Sequence, residues 1–481
     1  MNWITSSSSS NIIIFCPEFN EELDIELIHG YNMIVFSDYK LNKKIFERYA
    51  NNDFCGLEYI GSKFNQDVLN LPPTLTHLTF GWKFNQDVFK LPQTLTHLTF
   101  GERFNKDVFK LPQTLTHLTF GCEFNKNVLN LPPSITHLIF GDFFNRDVSN
   151  LPTNIIHLIF GNKFNRYVSK LPSNTTHLTF GYEFNQDVSK LPQNLNYLKF
   201  GNDFNQNVSF LPNFLTHLIL GYEFNQDVSK LPHSLTHLTF GLKFNKDISN
   251  LPINLTHLKL SLYFNYDVSS LPLSLTHLTF SFYFNQDVSA LPSTLTHLTF
   301  GSIFNQDVSA LPSTLTHLTF GSIFNQDVSA LPSTLTHLTF GENFNQDISS
   351  LPKGITHLTL GYKFNQQYDI PNNIKYLNLC CNNSYIINNL PNSIIELELG
   401  YVFNLEINNL PTSIKKIFIS KGNKYYNHDL NCLPDFVEEL CLNSNYIKRI
   451  LHIPPNFKKL ICSKYYVYID DFVMYDVETY E

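Results

Sequence analysis

A strict period of 20 residues governs the chain from Gly61 to Leu360, where fifteen units follow one another without insertion or deletion. Units 301–320 and 321–340 both read GSIFNQDVSALPSTLTHLTF, identical at all twenty positions. A chain of 481 residues would ordinarily divide into about three globular domains; this period instead demands a tandem array of one small supersecondary unit. The pattern persists with wear beyond 360, as 361–379, 380–399, 400–419, a longer 420–442, and 443–462. Upstream, Phe19-Asn20-Glu21-Glu22-Leu23 and Leu41-Asn42-Lys43-Lys44-Ile45 echo the FNQDV element, implying two or so degenerate leading repeats. The organisation expected is a polar segment 1–18, degenerate repeats or a cap over 19–60, the regular array 61–360, five degenerate repeats over 361–462, and a C-terminal cap or tail 463–481.

In the unit beginning at Gly301 the apolar positions are Phe304, Val308, Leu311, Leu315, Leu318 and Phe320. Leu318 and Phe320 are two apart, so they share one face of an extended segment while His317 and Thr319 face the other way. A helix fits poorly elsewhere, because Asp307, Val308 and Ser309 are weak helix formers between Gly301 and Pro312. Each unit is then one short strand, a turn and an extended return. A single unit cannot bury its own apolar edge; stacked units close a continuous core, each inward side chain contributing ~1.5–3 kcal/mol. The fold class expected is a β-rich solenoid, a leucine-rich-repeat-like right-handed array with one long parallel sheet and about 20 repeats of ~20 residues.

The string Phe-Asn, then Leu-Pro, then L-x-x-L, resembles the FNIP repeat family, closely over 61–419 and loosely over 19–462. That family is known chiefly from social amoebae and from giant DNA viruses of amoebae. The resemblance implies a leucine-rich-repeat-like fold and protein binding. Some members carry an N-terminal F-box that recruits a ubiquitin ligase. Residues 1–60 lack the leucine-rich helical segments of an F-box, so a ubiquitin-ligase adaptor role is the alternative rather than the primary reading.

Polar residues also recur as ladders. Asn65 and every twentieth residue to Asn365 suit satisfaction of turn backbone, and Phe64 to Phe364 suit the core. The aspartate ladder, for example Asp287, Asp307 and Asp327, suits turn capping better than a calcium cage, since each unit supplies one carboxylate. Fourteen of the eighteen histidines share one slot from His77 to His357, with Tyr197 taking it once. His277, His297, His317 and His337 represent this outward surface ladder. A neutral His–Thr surface is favoured over a pH-responsive or metal-binding face, because no carboxylate or thiol shares the slot. Charged neighbours at strand spacing are expected to repel one another and so depress the imidazole pKa.

Catalysis requires unlike groups converging once, whereas these polar groups repeat along an axis. No catalytic residue, metal site or cofactor is expected, and no enzyme activity. The net charge of −8 disfavours a phosphate backbone as partner. No apolar run approaches a membrane span, and the N-terminus lacks the features of a signal peptide. None of the eight cysteines sits in a C-x-x-C pair. A reduced, intracellular setting follows, cytoplasmic, or the host cytoplasm for a viral protein.

The expected function is a non-enzymatic protein-interaction scaffold, its partner unidentified, with neither nucleic acid nor membrane as partner. The two residues after each strand's Gly or Ser vary most between units. Four consecutive units turn apolar there, giving the partner-binding candidates Leu262, Tyr263, Phe282, Tyr283, Ile303 and Ile323. Ile253 and Leu273 are variable apolar residues taken to lie nearby.

Overall fold

A computed structural model describes residues 3–5, 11–41 and 57–480. The Leu41–Ile45 echo, apart from Leu41, and Cys55 lie outside the described residues. The chain forms two compact units, Met1–Phe244 and Asn245–Glu481. Each is a parallel-sheet, leucine-rich-repeat-like solenoid, as the period demands, and among the described residues each contributes twelve strands.

The first unit opens with β1 (Trp3–Thr5), which pairs antiparallel with β2 (Ile12–Phe15). From β2 onward the ladder is parallel, through β3 (Met33–Phe36) to β4 (His77–Thr79) and then every twenty residues to β12 (His237–Thr239). The antiparallel start went unforeseen, since three residues carry no readable alternation. Asn65 donates its backbone N–H to Asn20 Oδ1 at 2.9 Å, and Phe19 stacks on Phe64.

The second unit runs from β13 (His257–Lys259) at the same spacing to β18 (His357–Leu360). It continues with β19 (Tyr376–Leu379), β20 (Glu396–Leu399), β21 (Lys416–Ile419), β22 (Glu439–Cys441), β23 (Lys459–Ser463) and β24 (Asp476–Tyr480). Residues 463–480 thus add one more parallel strand, with Tyr466 and Phe472 buried beside it. A one-turn helix, α1 (Ser384–Asn388), appears in a worn repeat where Asn383 caps it by accepting from Ile386 N–H.

One repeat shows how the sequence makes the coil. Residues 321–340 contain three β-turns, closed by Phe324 N–H to Gly321 O, Leu331 N–H to Val328 O and Leu335 N–H to Pro332 O. Each turn ends on a buried apolar residue, while its two central residues project outward. The short strand His337–Thr339 then runs in register on His317–Thr319. Thr316 O accepts from both Thr336 N–H and His337 N–H, at 2.9 and 3.0 Å, which ties the strand entries together.

Stacked rings fill the core. Phe320 and Phe324 lie 3.7 Å apart between centroids, and Phe324 meets Phe304 and Phe344 at 6.2 Å on either side. Close approach favours glycine at the first slot. A Cβ on Gly321 would come within 1.9 Å of Gly301 O. The chain admits serine there at Ser261 and Ser281, where the Ser281 hydroxyl donates to Leu260 O at 2.7 Å.

Candidate interaction surface

The three turns decide which positions can vary. Their central residues carry no core side chain, so substitution there is read out only on the surface. Leu262 and Tyr263 occupy the first turn of their repeat, as do Phe282–Tyr283, Ser302–Ile303 and Ser322–Ile323 of the next three. Backbone bonds register these turns: Tyr283 N–H to Leu262 O at 3.0 Å, Ile303 N–H to Phe282 O at 3.1 Å, and Ile323 N–H to Ser302 O at 2.9 Å. Tyr263 and Tyr283 stack at 5.2 Å, and Phe282 meets Tyr283 edge-on at 4.8 Å. Tyr263, Phe282, Tyr283 and Ile323 are 40–44% exposed, whereas Leu262 and Ile303 are half-buried. Tyr263, Phe282 and Tyr283 form one exposed aromatic cluster, and none of the six side chains is fully buried.

Ile253 and Leu273 belong elsewhere. They sit in the turn leading into the strand, while residues 262–263 and 282–283 sit in the turn leaving it. The extended strand segment separates the two sets, so they flank the sheet on opposite edges and do not enlarge one patch.

A second apolar strip escaped the sequence reading. In the first unit the middle turn carries Leu69, Phe89, Phe109 and Leu129 where most repeats have serine, and all four are exposed. Phe89 and Phe109 approach to 5.1 Å, beside a cleft of about 410 Å³ that includes Phe109, Lys110 and Leu129. The signal was present as four consecutive apolar residues in a hydrophilic slot.

The strand faces carry the histidine ladder. Neighbouring imidazoles stack at 4.1 Å for His277–His297, 4.2 Å for His297–His317 and 4.1 Å for His317–His337, each pair within 13° of parallel. Tyr197 interrupts the stack in the first unit, opening the spacing to 5.8 and 6.3 Å. The tautomer follows from hydrogen-bond direction. Thr316 Oγ1 lies 3.1 Å from Thr296 O, which can only accept, so the hydroxyl proton is committed there. The 2.9 Å contact of that oxygen with His317 Nδ1 must then be donated by Nδ1–H. The same pair of contacts recurs at His277, His297 and His337. Nε2 is left as the basic nitrogen, and protonation at Nε2 preserves the threonine bond.

Burial depresses the His277, His317 and His337 pKa values first, and neighbouring imidazoles add to the effect. His97 is lowered to about 4 by the same causes in the same order. This corrects the expected cause, repulsion alone, because stacking itself removes water from the rings. The ring planes lie nearly parallel, so adjacent nitrogens do not converge on one point. Among the described residues no three His, Cys, Asp or Glu side chains form a metal cluster.

The other ladders are turn chemistry. Asn325 donates its N–H to Asn305 Oδ1 at 2.9 Å, and Asn305 to Asn285 at 2.9 Å. Asp307 accepts from Ser309 N–H and Oγ at 3.0 and 2.7 Å, which holds its carboxyl below the usual range. In the worn repeats a cleft of about 620 Å³ opens on the strand face between Tyr376, Glu396, Glu398, Phe418 and Lys421. Among the described residues no helix is long and apolar enough to cross a membrane.

Short parallel strands, registered turns and an inward Leu–Phe ladder define a leucine-rich-repeat-like solenoid. The chain belongs to the FNIP Repeat family, whose profile tiles residues 64–422. It is similar to CroV588 of the giant virus CroV, described as a novel circular leucine-rich-repeat protein. The two share 35% identity over 96% of this chain and 77% of that one, with a TM-score of 0.73. It is also similar to TLR13 in a TLR13–ssRNA13 complex, at 16% identity over 82% of this chain and 64% of that one, TM-score 0.51. The internalin InlF of Listeria monocytogenes matches at 21% identity over 56% of this chain and 88% of that one, TM-score 0.44. The TLR13 likeness concerns the fold alone. No curated protein sequence matches the chain.

Proposed function

We propose that this chain is a non-enzymatic scaffold that binds another protein through the turn strip spanning residues 262–323. The observation that carries the reading is the exposed aromatic cluster of Tyr263, Phe282 and Tyr283, held in place by registered backbone bonds. Rigid aromatic side chains on a fixed frame bind with little loss of conformational entropy, and aromatic anchors dominate interface energies. A repeat solenoid of this kind is typically a binding scaffold. The unpaired state of Cys381, Cys441 and Cys462, all buried, supports an intracellular setting, the host cytoplasm for a viral protein. The strands β1 and β2 and residues 463–480 act in this reading as the ends of the array.

The test combines Tyr263→Glu with Phe282→Glu. The double variant should lose the partner that the wild-type chain retains on affinity purification and mass spectrometry, with its thermal midpoint nearly unchanged. Retained binding moves the interface elsewhere on the array, and a collapsed fold makes these residues core. Recovery of Skp1-like or cullin proteins would favour the ubiquitin-ligase adaptor.

A further inference from the structure

In the second unit the outward column of the sheet changes from histidine to alternating charge. Strand register pairs Glu396 with Lys416, Lys416 with Glu439, Glu439 with Lys459, and Lys459 with Asp476. Lys416 Nζ lies 3.0 Å from Glu396 and 3.7 Å from Glu439, and Lys459 Nζ lies 2.8 Å from Glu478. Each strand thus presents the charge its neighbour lacks, and the series ends on the negative charge of Asp476.

The strand carrying Asp476 is also the last of the ladder among the described residues. Among the described residues β24 pairs with β23 and with no other strand. Asp476 donates its N–H to Lys458 O at 3.0 Å, and Tyr480 O accepts from Lys464 N–H at 2.9 Å. In a parallel ladder alternate residues address the same neighbour, so Asp476, Glu478 and Tyr480 face β23. Val477 and Thr479 therefore direct their N–H and C=O groups to the open side. Asp476, Glu478 and Thr479 are exposed, and the preceding turn leaves Val473 and Met474 exposed beside them.

We propose that the open edge of β24 receives an extended segment of a protein partner, with a lysine or arginine in register with Asp476. Such a segment extends the backbone ladder through Val477 and Thr479 and continues the charge alternation by one step. Backbone pairing supplies attachment, and the column supplies register.

The probe is a fluorescein-labelled, blocked Lys-Val-Lys-Val-Thr-Val peptide, titrated against the full chain by anisotropy. It should bind, weaken with added salt, and outcompete a Glu-Val-Glu-Val-Thr-Val counterpart. Asp476→Lys should weaken the lysine peptide about tenfold and reverse the preference. Thr479→Pro removes an outward N–H without touching a bond to β23, and should abolish binding. An N-methylated peptide blocked on its pairing side gives the same readout from the ligand should that variant unfold. Failure of the lysine peptide to bind the wild-type chain overturns the proposal. So does full affinity in both Thr479→Pro and the N-methylated peptide, which would mark plain charge attraction. A wild-type dimer on sedimentation, lost in Asp476→Lys, would assign the edge to a second copy of the chain and overturn the proposed partner.

Discussion

The regular repeats of the second unit and its worn repeats share one backbone but hold their neighbours by different chemistry. Seven residues after the strand's first outward side chain, the regular repeat places Phe324, counting from His317, and a worn repeat places Asn423, counting from Lys416. Phe324 is fully buried and acts by ring stacking. Asn423 is equally buried, donating to Gly400 O and Phe403 O at 2.7 and 2.8 Å and accepting from Tyr425 and Tyr426 N–H. On the outward face, stacked imidazoles give way to lysine–glutamate pairs. Stacking of like on like tolerates unlimited copying, since every rung fits every other. Charge alternation does not: each strand must be complementary to the one before it. The difference explains how units 301–320 and 321–340 can be identical while no two worn repeats are.

The comparison breaks most visibly under deletion. Removing residues 321–340 sets unit 341–360 on unit 301–320, which is identical to the unit removed, and should leave a folded protein with a thermal midpoint within a few degrees of the wild type. Removing 321–330 alone destroys the register of every turn that follows and should unfold the array. Equal thermal stability of the two deletions would contradict nearest-neighbour stacking.

Much of this was legible beforehand because one short pattern repeats in step. Leu318 and Phe320 against His317 and Thr319 already set strand, face and register, and the aspartate ladder through Asp307 already implied turn capping, though not its Ser309 partner. What remained hidden had physical reasons. The charge column needs the worn repeats in register, and a residue lost near Tyr368 and three gained within 420–442 obscure it. The Leu69–Leu129 strip lay in a slot that serine made look uniformly polar. Ile253 and Leu273 looked adjacent to the 262–323 strip because linear spacing does not show which edge a turn occupies.

The two kinds of asparagine sharpen the contrast at smaller scale. Asn305→Leu leaves one half-buried N–H, that of Asn325, without its acceptor and should cost about 1 kcal/mol. Asn423→Leu removes the side-chain partner of four backbone groups, three of them at buried bonds, and should cost about 3 kcal/mol. Urea denaturation of the two variants measures the difference, and equal costs would mean that both asparagines merely fill space.

Acid separates the regions by sign and window. Histidines with a depressed folded pKa leave stability intact above the unfolded value of about 6.5, and it falls as pH drops below that value toward the folded one. Glu438 and Glu478, lowered by their lysine partners, lose their contribution only as pH falls below about 4.3 toward their folded values. Hydrogen exchange at pH 7.5 and 5.5, corrected for intrinsic rates, reads both regions in one molecule and bears most directly on the claim that one backbone is held by two chemistries. Protection over 257–360 should fall between these pH values while protection over 396–480 stays constant. Loss of protection in the charged repeats with the histidine repeats unchanged would contradict the account.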